Sequence, residues 1–175
     1  MVRFLEYLVI FIGVVMLQLL IFNDVHISGF AGVNILLLFI VLLPLDTPNW
    51  LVLILSALIG ITTDTISGFP AINTISCTLI GFIRPSAVNL FLGIKDATKR
   101  GVITASRLGS GRVAIFMFVL IAIQNIVNYT LESLSVVDVV FTILRVVTAT
   151  ISSFVFVYIL HLPFFNKESA NNKDF

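Results

Sequence analysis

The feature that most constrains this chain is an uncharged run long enough to cross a membrane. Val113–Leu131 contains no Asp, Glu, Lys or Arg, and about 20 apolar residues cross the ~30 Å hydrocarbon core of a bilayer. The rest of the chain has a similar character, since 59% of its 175 residues are hydrophobic and 11% are charged. A soluble domain carries about 25% charged residues. The sequence therefore predicts a membrane protein with almost no soluble domain.

Six apolar stretches are predicted to be transmembrane helices: roughly Phe4–Phe22, Gly29–Leu45, Trp50–Thr63, Phe69–Ile83, Val113–Leu131 and Val139–Leu160. Runs such as Ile35–Leu43 do not alternate between apolar and polar residues, as the strands of a transmembrane barrel would. The predicted fold class is therefore all-α, a polytopic membrane helix bundle with six transmembrane spans. It forms one membrane domain over residues 1–165, and the polar tail over residues 166–175 is predicted to be disordered.

The basic residues predict the orientation, because cytoplasmic loops carry an excess of Lys and Arg. With six spans and a cytoplasmic N-terminus, the three outer loops contain no Lys or Arg. The cytoplasmic set is then Arg3, Lys95, Lys99, Arg100, Arg107, Arg112, Lys167 and Lys173. We therefore expect a multi-pass protein with both termini in the cytoplasm.

Most of this basic set lies in the segment Gly93–Arg112, and two interpretations of the segment are open. It is either an interfacial helix on anionic lipid, where each basic group adds ~1 kcal/mol, or a loop that is basic only because it is cytoplasmic. We favour the loop. In both cases the candidate lipid or cytoplasmic contacts are Lys95, Lys99, Arg100, Arg107 and Arg112.

Two ionisable residues fall within the predicted spans, Asp64 near the outer end of the third and Arg145 in the sixth. Such groups are costly at membrane depth and usually functional. Their estimated depths match and their signs are opposite, so we predict a buried Asp64–Arg145 pair. The alternatives are that Asp64 ends its helix at the headgroup level and that Arg145 extends alone to the headgroups.

Other polar residues in the spans have simpler interpretations. Arg84 and Asp46 form a similar candidate pair at the inner ends of two spans, although we favour separate snorkelling of each to the interface. Gln18, Asn34 and Asn73 are predicted to form hydrogen bonds between helices. One cysteine excludes a multi-cysteine metal site, and no catalytic motif is present. We expect no enzymatic activity, cofactor or metal.

The residues around the third and fourth spans resemble a known family. Pro44, then Gly60 and Asp64, then Gly68, then Arg84-Pro85 are similar to the pattern of MreD, the rod shape-determining membrane protein of bacteria, in its Bacteroidetes-like branch. The resemblance covers nearly the whole chain. It departs from the family after Gly68, where Phe69-Pro70-Ala71-Ile72-Asn73 stands in place of the usual turn.

The resemblance implies a non-enzymatic component of the cell-elongation complex in the bacterial cytoplasmic membrane. Such a component binds MreC, a single-span protein with a periplasmic domain. It is thereby linked to MreB and to the RodA–transpeptidase pair that synthesises the lateral wall. The resemblance also implies a fold similar to the substrate-binding components of energy-coupling-factor transporters. The alternative function is therefore a substrate-binding subunit of a vitamin-type transporter.

Overall fold

The computed structural model describes residues 11–18, 26–27, 31–32, 34–45, 47–68, 71–93, 103, 109–133 and 139–171, with side chains described as far as residue 160. The elements in chain order are α1 (11–17), β1 (His26–Ile27), β2 (Ala31–Gly32), α2 (Leu36–Leu42), α3 (Asn49–Ser67), α4 (Ile72–Ala87), α5 (Ser110–Ser133) and α6 (Val139–Asn171). A π-helical turn, Val88–Leu92, continues α4.

Four of these helices are long and apolar enough to cross a membrane. They are Asn49–Ser67, Ile72–Leu92, Ser110–Ser133 and Val139–Leu160. The prediction of a helical membrane bundle is therefore confirmed. The fourth predicted span does not end at Arg84-Pro85, because the helix continues through Pro85 into the π-helical turn. Proline removes one backbone donor without ending a membrane helix when neighbouring helices support it.

The prediction that Gly29–Leu45 forms one membrane-spanning helix is wrong. In Gly29–Leu45 the described helix is α2, with 7 residues, or about 10 Å at 1.5 Å per residue. Before α2 the chain folds back, and β1 pairs antiparallel with β2. Every residue of α2 is buried, so its apolar character reflects a position inside the bundle. The first predicted span lies mostly outside the described residues, and six spans therefore remain a prediction.

The closest packing in the bundle is between α3 and α4, which run antiparallel and form what we call the α3–α4 hairpin. A Cβ added to Gly60 would stand 2.5 Å from the Cα atom of Thr74. A Cβ added to Gly81 would stand 2.5 Å from Oγ of Ser56. Small residues let helices approach closely in lipid, where packing and not the hydrophobic effect drives association. These contacts fix the register of the two helices.

The last helix, α6, extends further than the sequence predicts. It continues to Asn171, so residues 166–171 of the predicted disordered tail are helical. A long apolar helix propagates into polar residues because each added residue contributes one further hydrogen bond. Of the four helices that could cross a membrane, α6 has the smallest share of buried residues in its apolar stretch, 22%. Its outward face carries exposed apolar side chains such as Leu144, Ile151 and Ile159.

Candidate functional site

Asp64 is buried in the last turn of α3, where its carboxylate caps the N-terminus of α4. Oδ1 accepts hydrogen bonds from the backbone N and from Nδ2 of Asn73, both at 3.0 Å. Oδ2 accepts from the backbone N of Thr74 at 2.7 Å and from its Oγ1 at 2.6 Å. The residue at the usual N-cap position, Ala71, provides no side-chain cap. Asp64 therefore satisfies two of the backbone donors that a helix N-terminus leaves free, and its negative charge suits the helix dipole.

The turn that brings Asp64 to α4 depends on two glycines. Gly60 lies one helical turn before Asp64, and its missing side chain gives Thr74 room to approach. Gly68 ends α3 with φ of 71°, a left-handed conformation that glycine adopts without steric cost. Two of the residues that carry the family resemblance thus position a third, the carboxylate of Asp64.

The predicted pair between Asp64 and Arg145 is wrong. Asp64 is occupied by α4, whereas Nη1 of Arg145 forms an ion pair with Oε1 of Glu132 at 3.1 Å. The predicted fifth span ends at Leu131, which leaves Glu132 in the outer loop that follows it. Because α5 extends to Ser133, Glu132 instead lies in the last turn of α5, facing α6.

Arg145 also lies against two aromatic rings. Its guanidinium carbon is 5.5 Å from the ring centre of Tyr129 and 5.6 Å from that of Phe141, distances typical of cation–π contacts. The Arg145 and Glu132 side chains are 28% and 39% exposed. The cluster therefore lies at the edge of the bundle, where it joins the ends of α5 and α6.

Amide side chains connect the helices through the middle of the bundle. Asn128 donates to Oδ1 of Asn73 at 3.4 Å, and one turn away Gln124 donates to Oδ1 of Asn34 at 3.4 Å. The backbone N of Asn34 donates to Oγ of Ser153 at 2.9 Å. Nearer α1, Oε1 of Gln18 accepts from the backbone N of Ile35 at 2.8 Å. The prediction of hydrogen bonds between helices is confirmed for Asn73, which joins α4 to α5, whereas the bonds of Gln18 and Asn34 join helices to the segment that precedes α2.

Arg84 lies at the other end of the α3–α4 hairpin from Asp64 and is 3% exposed. Its Nη2 donates to the backbone oxygen of Leu43, which follows the C-terminus of α2. Leu43 has the extended conformation expected before a proline, with ψ of 136°. Pro44 therefore helps to turn this carbonyl away from the helix, and Arg84 binds it. The favoured expectation that Arg84 extends freely to the interface is wrong, because the side chain is buried and bound to the carbonyl of Leu43.

The remaining predicted contacts are only partly within the described structure. Asp46, Lys95, Lys99, Arg100 and Arg107 lie outside the described residues. Arg112 is exposed in the first turn of α5, and Pro85 lies inside α4.

Sequence reasoning missed the partners of Asp64. The backbone donors of Asn73 and Thr74 have no side-chain signature, although a polar pair at the start of a helix after a tight turn is compatible with capping. It also missed Gln124, Asn125 and Ser153, which are buried polar residues of α5 and α6. The spacing of Gln124 and Asn128, one turn apart on a single helix face, was the available signal.

No family model matches the chain, and no curated protein or solved structure does so either.

Proposed function

We propose that the chain is a non-enzymatic membrane component of the bacterial cell-elongation complex, similar to MreD. In this role it binds an MreC-like single-span protein and supports lateral wall synthesis. The proposal is supported by the observation that the residues carrying the family resemblance are the ones that join the helices to each other. Gly60, Asp64 and Gly68 fasten α3 to α4, while Pro44 and Arg84 fasten α4 to α2. These residues hold helices together, as expected of a scaffold.

The remaining polar groups are compatible with the same role. Gln18, Asn34, Asn73 and Gln124 bond to other segments of the bundle. In lipid such bonds and close packing stabilise helix association. A rigid bundle with an apolar exterior would present its outer helices to a single-span partner.

A second candidate function, the substrate-binding subunit of a small-molecule transporter, is favoured by a different observation. The amide contacts of Gln124 and Asn128 span 3.4 Å, beyond the usual range for such bonds. In addition, Oδ1 of Asn128 is buried with no hydrogen-bond partner among the described residues. Amides held this loosely in a bundle interior would be able to exchange partners with a polar ligand.

The two functions predict different associated proteins. The tagged chain is extracted from its native membrane in mild detergent, and co-purifying proteins are identified by mass spectrometry against an equally tagged, unrelated polytopic protein. The scaffold proposal expects a single-span protein with a large periplasmic domain, and it expects rod-shaped cells to become round when the chain is depleted. Recovery of a pair of nucleotide-binding ATPases, with cell shape unchanged, would refute it in favour of the transporter.

A further inference from the structure

Arg84 is a buried cation without a counter-charge in the described structure. Its one hydrogen bond uses Nη2, and Nε is buried with no partner among the described residues. The ion pair that the described residues form is Arg145–Glu132. Asp64 cannot neutralise Arg84, because it is bound to Asn73 and Thr74, which are about 15 Å away along α4 at 1.5 Å per residue.

The register of the α3–α4 hairpin indicates the depth of Arg84 in the membrane. Gly81 lies opposite Ser56, and carrying that antiparallel register along the two helices places Trp50 level with Ala87. Trp50 is 64% exposed at the start of α3, and tryptophan is enriched at membrane–water interfaces. Arg84 precedes Ala87 by three residues, or about 5 Å. The guanidinium is therefore within one helical turn of the lipid headgroup level.

A guanidinium at this depth has the donors that a phosphate requires. It presents five N–H groups in a planar fork that matches phosphate oxygens in a bidentate arrangement. The carbonyl of Leu43 occupies one donor, and the carbonyl carries no full charge. A buried cation is stabilised most by an anion that also accepts its free hydrogen bonds.

We propose that Arg84 binds a phosphate group through Nε and its remaining Nη hydrogens, at the end of the bundle marked by Trp50. The phosphate has two sources with the same chemistry, the headgroup of an anionic phospholipid and free inorganic phosphate. The Leu43 carbonyl then positions the guanidinium, since it holds Nη2 and leaves Nε without a described partner. Because Nε is buried, the phosphate reaches it only when the side chains that cover it move aside.

The test measures the melting temperature of the full chain, purified in a neutral detergent. Short-chain phosphatidylglycerol and inorganic phosphate are titrated separately, with a phosphate-free glycolipid as the ligand control. We expect one or both phosphate compounds to raise the melting temperature, and Arg84→Gln to weaken the apparent affinity by at least about tenfold. Arg145→Gln is the matched protein control, because it removes an intramembrane arginine that already has an acidic partner, and it should retain the response.

The two ligand arms identify the source. A response to phosphatidylglycerol alone assigns the site to lipid, and a response to both assigns it to the phosphate group itself. If Arg84→Gln does not fold, Arg84→Lys keeps the charge but not the fork and should bind about tenfold more weakly. The proposal is overturned if both Arg84 variants respond like the wild type. It is equally overturned if Asp46→Asn and Arg84→Gln lower the melting temperature equally and without additivity, since Asp46 would then be the counter-charge.

Discussion

The two ends of the α3–α4 hairpin each bury one charged side chain, and they satisfy it differently. Asp64 accepts four hydrogen bonds, two of them from backbone N–H groups of α4. Arg84 donates one described hydrogen bond, to Leu43, and its Nε has no described partner. The carboxylate of Asp64 is thus fully hydrogen-bonded within the described structure, whereas the guanidinium of Arg84 has N–H donors without a described acceptor. The comparison indicates that the Asp64 carboxylate serves only to join α3 to α4, whereas Arg84 joins α4 to α2 through one hydrogen bond and keeps Nε for a further partner.

The largest expected effect is at Gly60. Gly60→Ala places a Cβ 2.5 Å from the backbone of Thr74, and backbone cannot move aside without separating the helices and breaking the Asp64 cap. We expect a loss of about 3 kcal/mol or more, measured as the free energy of unfolding in a denaturing-detergent titration.

Gly81→Ala is the matched control, because its new Cβ meets the side chain of Ser56. It should cost about 1–2 kcal/mol, and the second change Ser56→Gly should recover part of that loss. Equal losses for Gly60→Ala and Gly81→Ala would show that the two ends are packed alike.

The next effect is at Asp64. Asp64→Leu removes the acceptor of two backbone donors in α4, each worth about 1.5 kcal/mol to a charged acceptor, so we expect a loss of about 3 kcal/mol. The same titration measures it. Thr74→Val removes one side-chain bond and leaves both backbone bonds in place, and it should cost about 1 kcal/mol. A small effect of Asp64→Leu would contradict the capping role.

A much smaller effect is expected at the opposite end. Arg84→Met removes the hydrogen bond to Leu43, which costs about 1 kcal/mol, but it also removes a buried cation that has no described counter-charge, which offsets part of that loss. In a neutral detergent without phosphate we expect unfolding free energies within about 1 kcal/mol of the wild type. A loss as large as that of Asp64→Leu would mean that both ends serve stability equally.

The smallest effect is expected at the ion pair between α5 and α6. Because both side chains are partly exposed, Arg145→Gln and Glu132→Gln should each cost about 0.5–1 kcal/mol. The losses from Asp64→Asn and Arg145→Gln should be additive, since the two residues have different partners. If the double variant were instead more stable than either single variant, the result would support the Asp64–Arg145 pair and contradict the partners that the structure gives these residues.

The sequence predicts the long helices well because lipid requires every backbone group to be bonded within its own helix. The start of α6 at Val139 and the start of α3 next to Trp50 agree with the predicted spans. Hydropathy does not distinguish a residue that faces lipid from one that is buried in protein. For this reason the pattern of Gly29–Leu45 predicts a transmembrane span where the structure has a short buried helix.

The charged partners were less predictable, for a different reason. Asp64 bonds to main-chain groups that every sequence possesses, so its partner depends on where α4 begins. The sequence analysis misses Glu132 because the predicted fifth span ends at Leu131, two residues before the end of α5. Arg84 was placed at an interface because Arg-Pro resembles a helix end, whereas α4 continues past it. An error of two to four residues in a helix boundary thus reassigns the partner of a charged side chain.

The short helix α2 has a consequence for biogenesis. Its flanking backbone groups are held by side chains from distant parts of the chain: Gln18 bonds to Ile35, Arg84 to Leu43, and Ser153 to Asn34. Ser153 is synthesised more than a hundred residues after α2. At 7 residues, α2 cannot span the bilayer as an independent helix during insertion. We therefore expect α2 to reach its final place only after α6 has been inserted.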